Sequence, residues 1–129
     1  MLLQSPCLNQ SSELAKVVAL IRSDNLVILP TDTLYALSAS ALSEVAVQKV
    51  FDFKKRAIEK SLPVLVSSIE EASHYCHFNE LSMKVAKLFW PGSVTLLLES
   101  KGMLASGISS NNKVAMRMPN HKVLLNIIF

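Results

Sequence analysis

LVILPTDTLY, residues 26–35, joins a short apolar run to a polar segment. Residues 26–29 are predicted to form a buried strand, and Pro30 is expected to end its regular pairing because proline has no N–H to donate. Residues 31–35 are then predicted to form a loop at the carboxyl end of that strand. Ligands favour this edge in open α/β sheets, so the loop is the first candidate site.

Helix and strand signals alternate on both sides of this stretch. Ser11 and Ser12 precede a predicted helix with an apolar face, and Ser43 is predicted to cap a second helix that ends in a basic cluster. Further strands are predicted at 63–66, 94–98 and 114–118, and further helices at 69–75, at 81–89 and after Pro119. The alternation predicts an α/β fold in which helices pack on a sheet.

Two apolar features at the C-terminal end carry separate predictions. In the helix at 81–89 the predicted apolar stripe is Leu81, Val85 and Leu88, and the following Trp90, together with Phe89, is expected in the core. The chain finishes in an apolar run at 124–129, which is expected to need a surface outside the chain, because termini are usually polar. We therefore expect one domain over residues 1–129 that is incomplete at its C-terminus.

The composition favours a cytoplasmic protein without a membrane segment. Half of the residues are apolar and the mean hydropathy is +0.35, but the unbroken apolar runs, such as 17–21, are far shorter than the roughly 20 residues of a spanning helix. The N-terminus lacks the basic start and long apolar stretch of a signal peptide. Cys7 and Cys76, the two cysteines, are interpreted as reduced thiols.

Charge and glycine content limit how the chain could hold a nucleotide. Thirteen basic residues stand against ten acidic residues, a mild excess that suits an anionic ligand or weak RNA contact and proves neither. Gly92, Gly102 and Gly107 are the three glycines, which excludes both the dinucleotide fingerprint and the phosphate loop. Side chains would therefore have to make many of the contacts to a bound nucleotide.

Three groups of residues could carry chemistry, and each has a plainer alternative. The hydroxyls of Thr31 and Thr33, which flank Asp32, could bind phosphate, ribose or an ammonium group. Alternatively, the threonines and Asp32 could cap their own backbone. The basic residues 54–56 and Lys60 could clamp phosphate, or could offset a helix dipole. Arg117 lies in an otherwise apolar strand, so it either faces solvent or reaches a ligand carboxylate or phosphate.

Metal binding and hydrolysis have weaker support. His74, Cys76 and His77 are close in sequence, but no second ligand pair accompanies them, whereas structural zinc sites draw four ligands from two pairs. They are interpreted as a half-exposed helix end, and no metal site is predicted. Neither a Ser-His-Asp order nor an acid pair stands out, so hydrolytic chemistry is not supported.

Taken together, five ordered segments resemble the motifs of YrdC-like threonylcarbamoyl-adenylate synthases. Residues 30–35 resemble the family's P-T-[DE]-T-x-Y-G-L segment, and residues 51–56 resemble the helix that leads to its K-x-R pair. Residues 62–66 resemble the strand that follows. Residues 89–96 are similar to F-W-P-G-x-[LV]-T-L, and residues 114–119 to V-A-[VM]-R-x-P.

The resemblance implies an L-threonylcarbamoyladenylate synthase, which combines L-threonine, bicarbonate and ATP with Mg²⁺ and releases pyrophosphate. The product would feed the N6-threonylcarbamoyl modification of adenosine 37 in tRNA through the downstream threonylcarbamoyl-transfer machinery. The implied fold is a twisted mixed sheet with helices packed on it and a basic concave cavity. Some members of the family bind double-stranded RNA.

Residue roles follow from the resemblance by position. Lys54 and Arg56 would be the catalytic residues and would hold ATP phosphates and bicarbonate, and Arg117 would clamp the threonine carboxylate. The residues implied to bind threonine or ATP are Thr31, Thr33, Tyr35, Lys60 and Arg117.

Some positions depart from the family pattern. Ala36 stands where the family has glycine, so a turn with positive φ there would be strained. Ala57 and Ser61 replace prolines. The family's Ser-x-Asn nucleotide motif is not found downstream of Arg117, and residues 109–111, which spell it upstream, are interpreted as a chance match. The alternative function is a non-catalytic domain that binds double-stranded RNA or nucleotide through the surface at 54–60.

Overall fold

The computed structural model describes residues 11–54 and 62–128, which form five helices and six strands. In chain order these elements are α1 (Ser11–Arg22), β1 (Val27–Pro30), β2 (Tyr35–Ser38), α2 (Glu44–Lys54), β3 (Val64–Leu65), α3 (Ile69–Tyr75), β4 (Cys76–His77), α4 (Glu80–Phe89), β5 (Leu96–Ser100), β6 (Lys113–Arg117) and α5 (Lys122–Ile128).

The strands form a two-stranded hairpin and a four-stranded sheet. Strands β1 and β2 pair antiparallel. The larger sheet has the order β3-β6-β5-β4; β3 runs parallel to β6, whereas β5 is antiparallel to both β6 and β4. The predicted α/β class with a mixed sheet is therefore confirmed. No helix within the described ranges is long and apolar enough to cross a bilayer.

Two apolar clusters hold these elements together. The larger joins α2 to the four-stranded sheet and includes Phe51, Met116 and Trp90. The smaller is built around Val17, Val27, Leu29, Leu124 and Ile127, and so joins α1, β1 and α5.

The smaller cluster corrects the prediction for the apolar run at 124–129. Leu124 is 2% exposed and Ile127 is 8% exposed, because α5 packs against α1 and β1. Burial of such side chains removes about 1.5–3 kcal/mol of unfavourable hydration each. Leu124, Ile127 and Ile128 thus pack against a surface within the chain.

Pro30 does not end the pairing of β1, as the sequence predicted. It pairs with Tyr35 in the antiparallel register that continues to Val27 and Ser38. A two-stranded sheet leaves one edge of each strand unpaired, and proline is tolerated where its missing N–H would face that edge. Strand β2 itself was not predicted, because alanine and serine give it low strand propensity.

Helix α4 buries a different face from the one predicted. Leu81 and Leu88 are 70% and 77% exposed and Val85 is half-buried, whereas Ala86 is the buried residue of the helix and belongs to the larger apolar cluster. Phe89, expected in the core, is also exposed. Trp90 is buried as predicted, and its Nε1 donates a hydrogen bond to the carbonyl of Val94 at 2.8 Å.

The backbone avoids the strain expected at Ala36. This residue is extended in β2, where it pairs with Leu29, so no positive φ is required of it. Among the described residues, positive φ occurs at Asp24, Gly102, Asn111 and Asn112, with values of 52° and 61° at the two asparagines. Asn111 and Asn112 form a two-residue turn between Ser110 and Lys113, whose backbones exchange hydrogen bonds. Asparagine is favoured in such hairpin turns, which gives Ser110 and Asn111, within the string at 109–111, a structural role.

Candidate functional site

A cavity of about 440 Å³ lies beside the β1–β2 hairpin and reaches both apolar clusters. Five residues predicted from the sequence line it: Thr31, Thr33, Tyr35, Lys54 and Arg117. The hydroxyls after β1, a cation at the end of α2 and the guanidinium of β6 therefore face one shared space. The other two predicted residues, Arg56 and Lys60, lie outside the described residues.

The hydroxyl of Thr31 organises the turn between β1 and β2. Its Oγ1 donates to the carbonyl of Leu34 at 2.5 Å and accepts from the backbone N–H groups of Thr33 and Leu34, both at 3.1 Å. The local-capping alternative is therefore confirmed for Thr31. Thr33 is exposed, and its Oγ1 lies 3.1 Å from that of Thr31, so Thr33 offers the more accessible hydroxyl at the cavity.

Asp32 and Arg117 form an ion pair across the fold. Arg117 Nη1 donates to Asp32 Oδ1 at 2.6 Å, and the backbone N–H of Asn120 donates to Asp32 Oδ2 at 2.9 Å. The side chains of Arg117 and Asp32 are only 11% and 13% exposed. The hairpin turn is thus fixed to the end of β6 and to the segment that precedes α5.

Gly92 supplies the second acceptor for Arg117. Its carbonyl accepts a hydrogen bond from Arg117 Nη1 at 3.0 Å, and its own N–H donates to the carbonyl of Met118 at 2.8 Å. A Cβ at this position would lie 2.7 Å from the carbonyl oxygen of Phe89, closer than Cβ atoms approach backbone. Glycine is therefore needed here for close packing of the turn that follows the cis Trp90–Pro91 bond.

These contacts change the interpretation of Arg117. The solvent-facing alternative is wrong, because the guanidinium is largely covered and paired. Nη1 donates one hydrogen bond to Asp32 and one to the carbonyl of Gly92, which uses both of its N–H groups. Within the described residues, Nε and Nη2 of Arg117 make no hydrogen bond. Binding of a ligand carboxylate by that remaining edge stays a prediction.

Asp32 is the site residue that sequence reasoning missed. The sequence predicts for Asp32 only that it caps its own backbone within the polar loop, because its actual side-chain partner is 85 positions away. The available signal was a lone cation in an apolar strand, which calls for an opposite charge somewhere in the chain.

The environment of Asp32 keeps its carboxylate ionised. Burial raises the pKa of Asp32. The hydrogen bond from Arg117, the backbone hydrogen bond from Asn120 and the positive charge of Arg117 all lower it, and their combined effect is larger than that of burial. The net result is a pKa below the ordinary aspartate value. The pair is therefore a stable ion pair at neutral pH, and Asp32 is a poor proton acceptor.

Among residues 11–54 and 62–128, the charged side chains that line the cavity are those of Lys54, Glu71 and Arg117. Lys54 is exposed in the last turn of α2, so it stabilises the helix dipole whatever else it does. Glu71 Oε2 accepts hydrogen bonds from both the N–H and the hydroxyl of Ser67 at 2.6 Å.

Cys76 and His77, two of the three neighbouring residues that could be read as zinc ligands, lie in different environments. Cys76 is 1% exposed, whereas its neighbour His77 in β4 is exposed, as alternation along a strand requires. Burial raises the pKa of the Cys76 thiol, and the charge of Lys101 opposes that rise only in part. Within residues 11–54 and 62–128, no group of three or more His, Cys, Asp or Glu side chains is arranged to hold a metal ion.

Comparison with known proteins identifies relatives over most of the chain. The sequence profile of the Sua5–YciO–YrdC family, described as "Telomere recombination", matches residues 19–129. The threonylcarbamoyl-AMP synthase of Pyrococcus abyssi is 36% identical over 110 residues, which are 84% of this chain and 32% of that protein. The Bacillus subtilis enzyme of the same name is 33% identical over 119 residues, or 90% of this chain and 34% of that protein.

A solved structure agrees with the sequence comparison. The crystal structure of P. abyssi Sua5 complexed with L-threonine superposes with a TM-score of 0.88 at 33% identity, covering 92% of this chain and 36% of that one. A further relative, from Methanocaldococcus jannaschii, is 35% identical and is matched over 50% of its length. The chain thus spans half or less of the length of these relatives.

Proposed function

The chain belongs to the Sua5–YciO–YrdC family, and we propose that it acts in the synthesis of L-threonylcarbamoyl-AMP for tRNA modification. The single observation that carries the proposal is the Asp32–Arg117 pair, which fixes a guanidinium at a cavity shared with Thr33 and Lys54. The names of the relatives and the L-threonine in the P. abyssi structure support the same chemistry.

The proposed reaction joins three substrates. The amine of L-threonine attacks the carbon of bicarbonate, and loss of water leaves a carbamate. A carbamate oxygen then attacks the α-phosphorus of ATP, the bond to the bridging oxygen breaks, and pyrophosphate leaves. Such a step requires positioned reactants and stabilised phosphate charge rather than a nucleophilic side chain.

The residues at the cavity suit those requirements. Arg117 would hold the threonine carboxylate with the planar fork that matches carboxylate geometry. Lys54 would act as a point charge on phosphate or bicarbonate, and the exposed hydroxyl of Thr33 would accept or donate a hydrogen bond to substrate. Thr31 would act indirectly, because its hydroxyl already holds the turn that presents Thr33.

Magnesium fits this proposal as part of the nucleotide substrate. Mg²⁺ in such sites is usually held by substrate phosphates and one or two carboxylates, with water completing the shell. Glu71 is the carboxylate that lines the described part of the cavity, so it is the residue to test for contact with the metal–ATP complex. The metal would neutralise charge on the phosphates as pyrophosphate departs.

Pyrophosphate release tests the proposal directly. Purified chain should release pyrophosphate from ATP only when both L-threonine and bicarbonate are present, and omission of either should abolish the signal. Exchange of Arg22, an exposed arginine at the end of α1, for alanine should leave the rate unchanged.

The alternative is a non-catalytic domain that binds RNA or nucleotide, and the same preparation distinguishes it. Folded protein that binds double-stranded RNA or ATP but shows no threonine-dependent pyrophosphate release would contradict the synthase proposal and favour the alternative. The proposed downstream partner is the machinery that transfers threonylcarbamoyl to tRNA, and the proposed location is the cytoplasm.

A further inference from the structure

We propose that Asp32 is a positioning residue that determines which edge of Arg117 faces the substrate. This inference rests on the proposed function, since it concerns how the guanidinium receives the threonine carboxylate. Asp32 itself need not touch the substrate. Its role is to anchor Arg117 before the substrate arrives.

The hydrogen bonds of Arg117 determine which edge of its guanidinium can meet a ligand. A guanidinium can meet a carboxylate with two parallel N–H groups, through either the Nη1–Nη2 edge or the Nε–Nη2 edge. Nη1 is already committed to Asp32 Oδ1 at 2.6 Å and to the carbonyl of Gly92 at 3.0 Å. The edge left for a bidentate ligand is therefore Nε–Nη2.

Asp32 can anchor Arg117 because Asp32 is itself held. Its second oxygen, Oδ2, accepts the N–H of Asn120 at 2.9 Å, and the turn that carries it is braced by the hydroxyl of Thr31. Asp32 is also largely covered, so the pair is screened less by water than a surface pair would be. A guanidinium with its orientation fixed in advance loses less rotamer freedom when the ligand binds.

A competing account predicts the opposite effect. Asp32 could occupy Arg117 in place of the substrate, so that a ligand carboxylate must displace it. Under competition, removal of the Asp32 charge would strengthen threonine binding, whereas under positioning it would weaken binding. The lowered pKa of Asp32 fits a fixed ion pair in either account, so only binding and orientation decide between them.

The first arm of the test compares L-threonine affinity by calorimetry in wild type, D32N and E44Q. D32N keeps the shape of the side chain and an acceptor for Asn120, but it loses the charge. We expect threonine binding to weaken about tenfold, the loss of roughly one charge-assisted hydrogen bond. E44Q is the matched control, because Glu44 also binds a distant loop, through Ser106, and does not line the cavity. It should bind threonine as wild type does.

The second arm reads the orientation of the guanidinium without ligand. The chain has three arginines, Arg22, Arg56 and Arg117, so the Nε–H region of a ¹⁵N NMR spectrum is simple, and R117K assigns the relevant signal. Wild type should show a distinct, sharp Arg117 Nε–H signal that broadens or moves to the position of exposed arginines in D32N. E44Q should leave the signal in place.

The outcomes separate this inference from the proposed function. Wild type that does not bind threonine contradicts the proposed function, while the NMR arm still decides whether Asp32 fixes Arg117. Unchanged or tighter threonine binding by folded D32N overturns the positioning role, and so does an Arg117 signal that is identical in wild type and D32N. Restoration of affinity in D32E, with affinity still lost in D32N, would show that the negative charge is what matters.

Discussion

Asp32 Oδ1 lies 2.6 Å from Arg117 Nη1, although the two residues are 85 positions apart in the chain. This bond joins the turn of the β1–β2 hairpin to the end of β6, and Asn120 extends the connection to the start of α5. The hairpin belongs to a separate two-stranded sheet. Within the described residues, the ion pair is therefore a principal polar contact between the two sheets.

The pair should contribute measurably to stability. Replacement of Asp32 by alanine leaves a covered guanidinium without its carboxylate, and we expect the free energy of unfolding to fall by about 2 kcal/mol. Urea denaturation checks this value. The Glu13–Lys16 pair is the control: its lysine is 68% exposed, so E13Q should cost less than about 0.5 kcal/mol. Equal effects of D32A and E13Q would contradict the structural role of Asp32.

The contribution of Asp32 should depend on pH in a defined direction. Its pKa is lowered in the folded state, so the unfolded chain binds the proton first as pH falls, and the stabilisation disappears as pH drops through the folded pKa. The difference in unfolding free energy between wild type and D32N should have its full value above about pH 5. It should shrink below about pH 4, which is the ordinary pKa range of aspartate. Urea unfolding at several pH values measures it. A difference that stays constant down to pH 2 would show that the ionised carboxylate is not responsible.

Gly92 should not tolerate a side chain. A Cβ at position 92 would lie 2.7 Å from the carbonyl oxygen of Phe89. If residue 92 shifts to relieve that contact, its own carbonyl, which accepts a hydrogen bond from Arg117 Nη1, shifts with it. We expect G92A to destabilise the chain by about 1–3 kcal/mol, a typical cost of overpacking. Thermal unfolding of G92A against S93A, a change at the exposed neighbour, tests this. Wild-type stability in G92A would mean that the turn can open without cost.

Cys76 should react slowly with thiol reagents. It is 1% exposed, and burial raises its pKa, so both access and thiolate content are low at neutral pH. In a C7S background Cys76 is the remaining thiol, and its modification by a chromogenic disulfide should become fast only after addition of denaturant. Rapid labelling of the native protein would show that β4 opens readily.

Local sequence patterns predicted most of the elements but not how they meet. The periodicity around Val17 and around Val47 indicated α1 and α2, and the apolar stretch that ends at Arg117 indicated β6. The stripe assigned to α4 was wrong, because periodicity locates an apolar face but does not say whether a neighbour covers it. In α4 the larger apolar cluster covers Ala86, whereas Leu81 and Leu88 stay exposed.

In the candidate site, too, the sequence predicted individual residues but not the contacts between them. The residue types at Thr33, Lys54 and Arg117 pointed to anion binding, and the structure places all three at one cavity. The pairing of Asp32 with Arg117 could not be predicted from spacing, since it depends on how the hairpin folds back towards β6. The role of Gly92 likewise depends on a contact with the backbone of Phe89 that only the folded chain creates.

The most direct test of the account is calorimetric titration of wild type and R117A with L-threonine and, separately, with ATP. If Arg117 receives the amino-acid carboxylate, R117A should lose threonine binding, while ATP binding should largely survive because the proposed phosphate contact of Lys54 is still present. Wild-type affinity for threonine in folded R117A would contradict the assignment of this cavity to the amino-acid substrate.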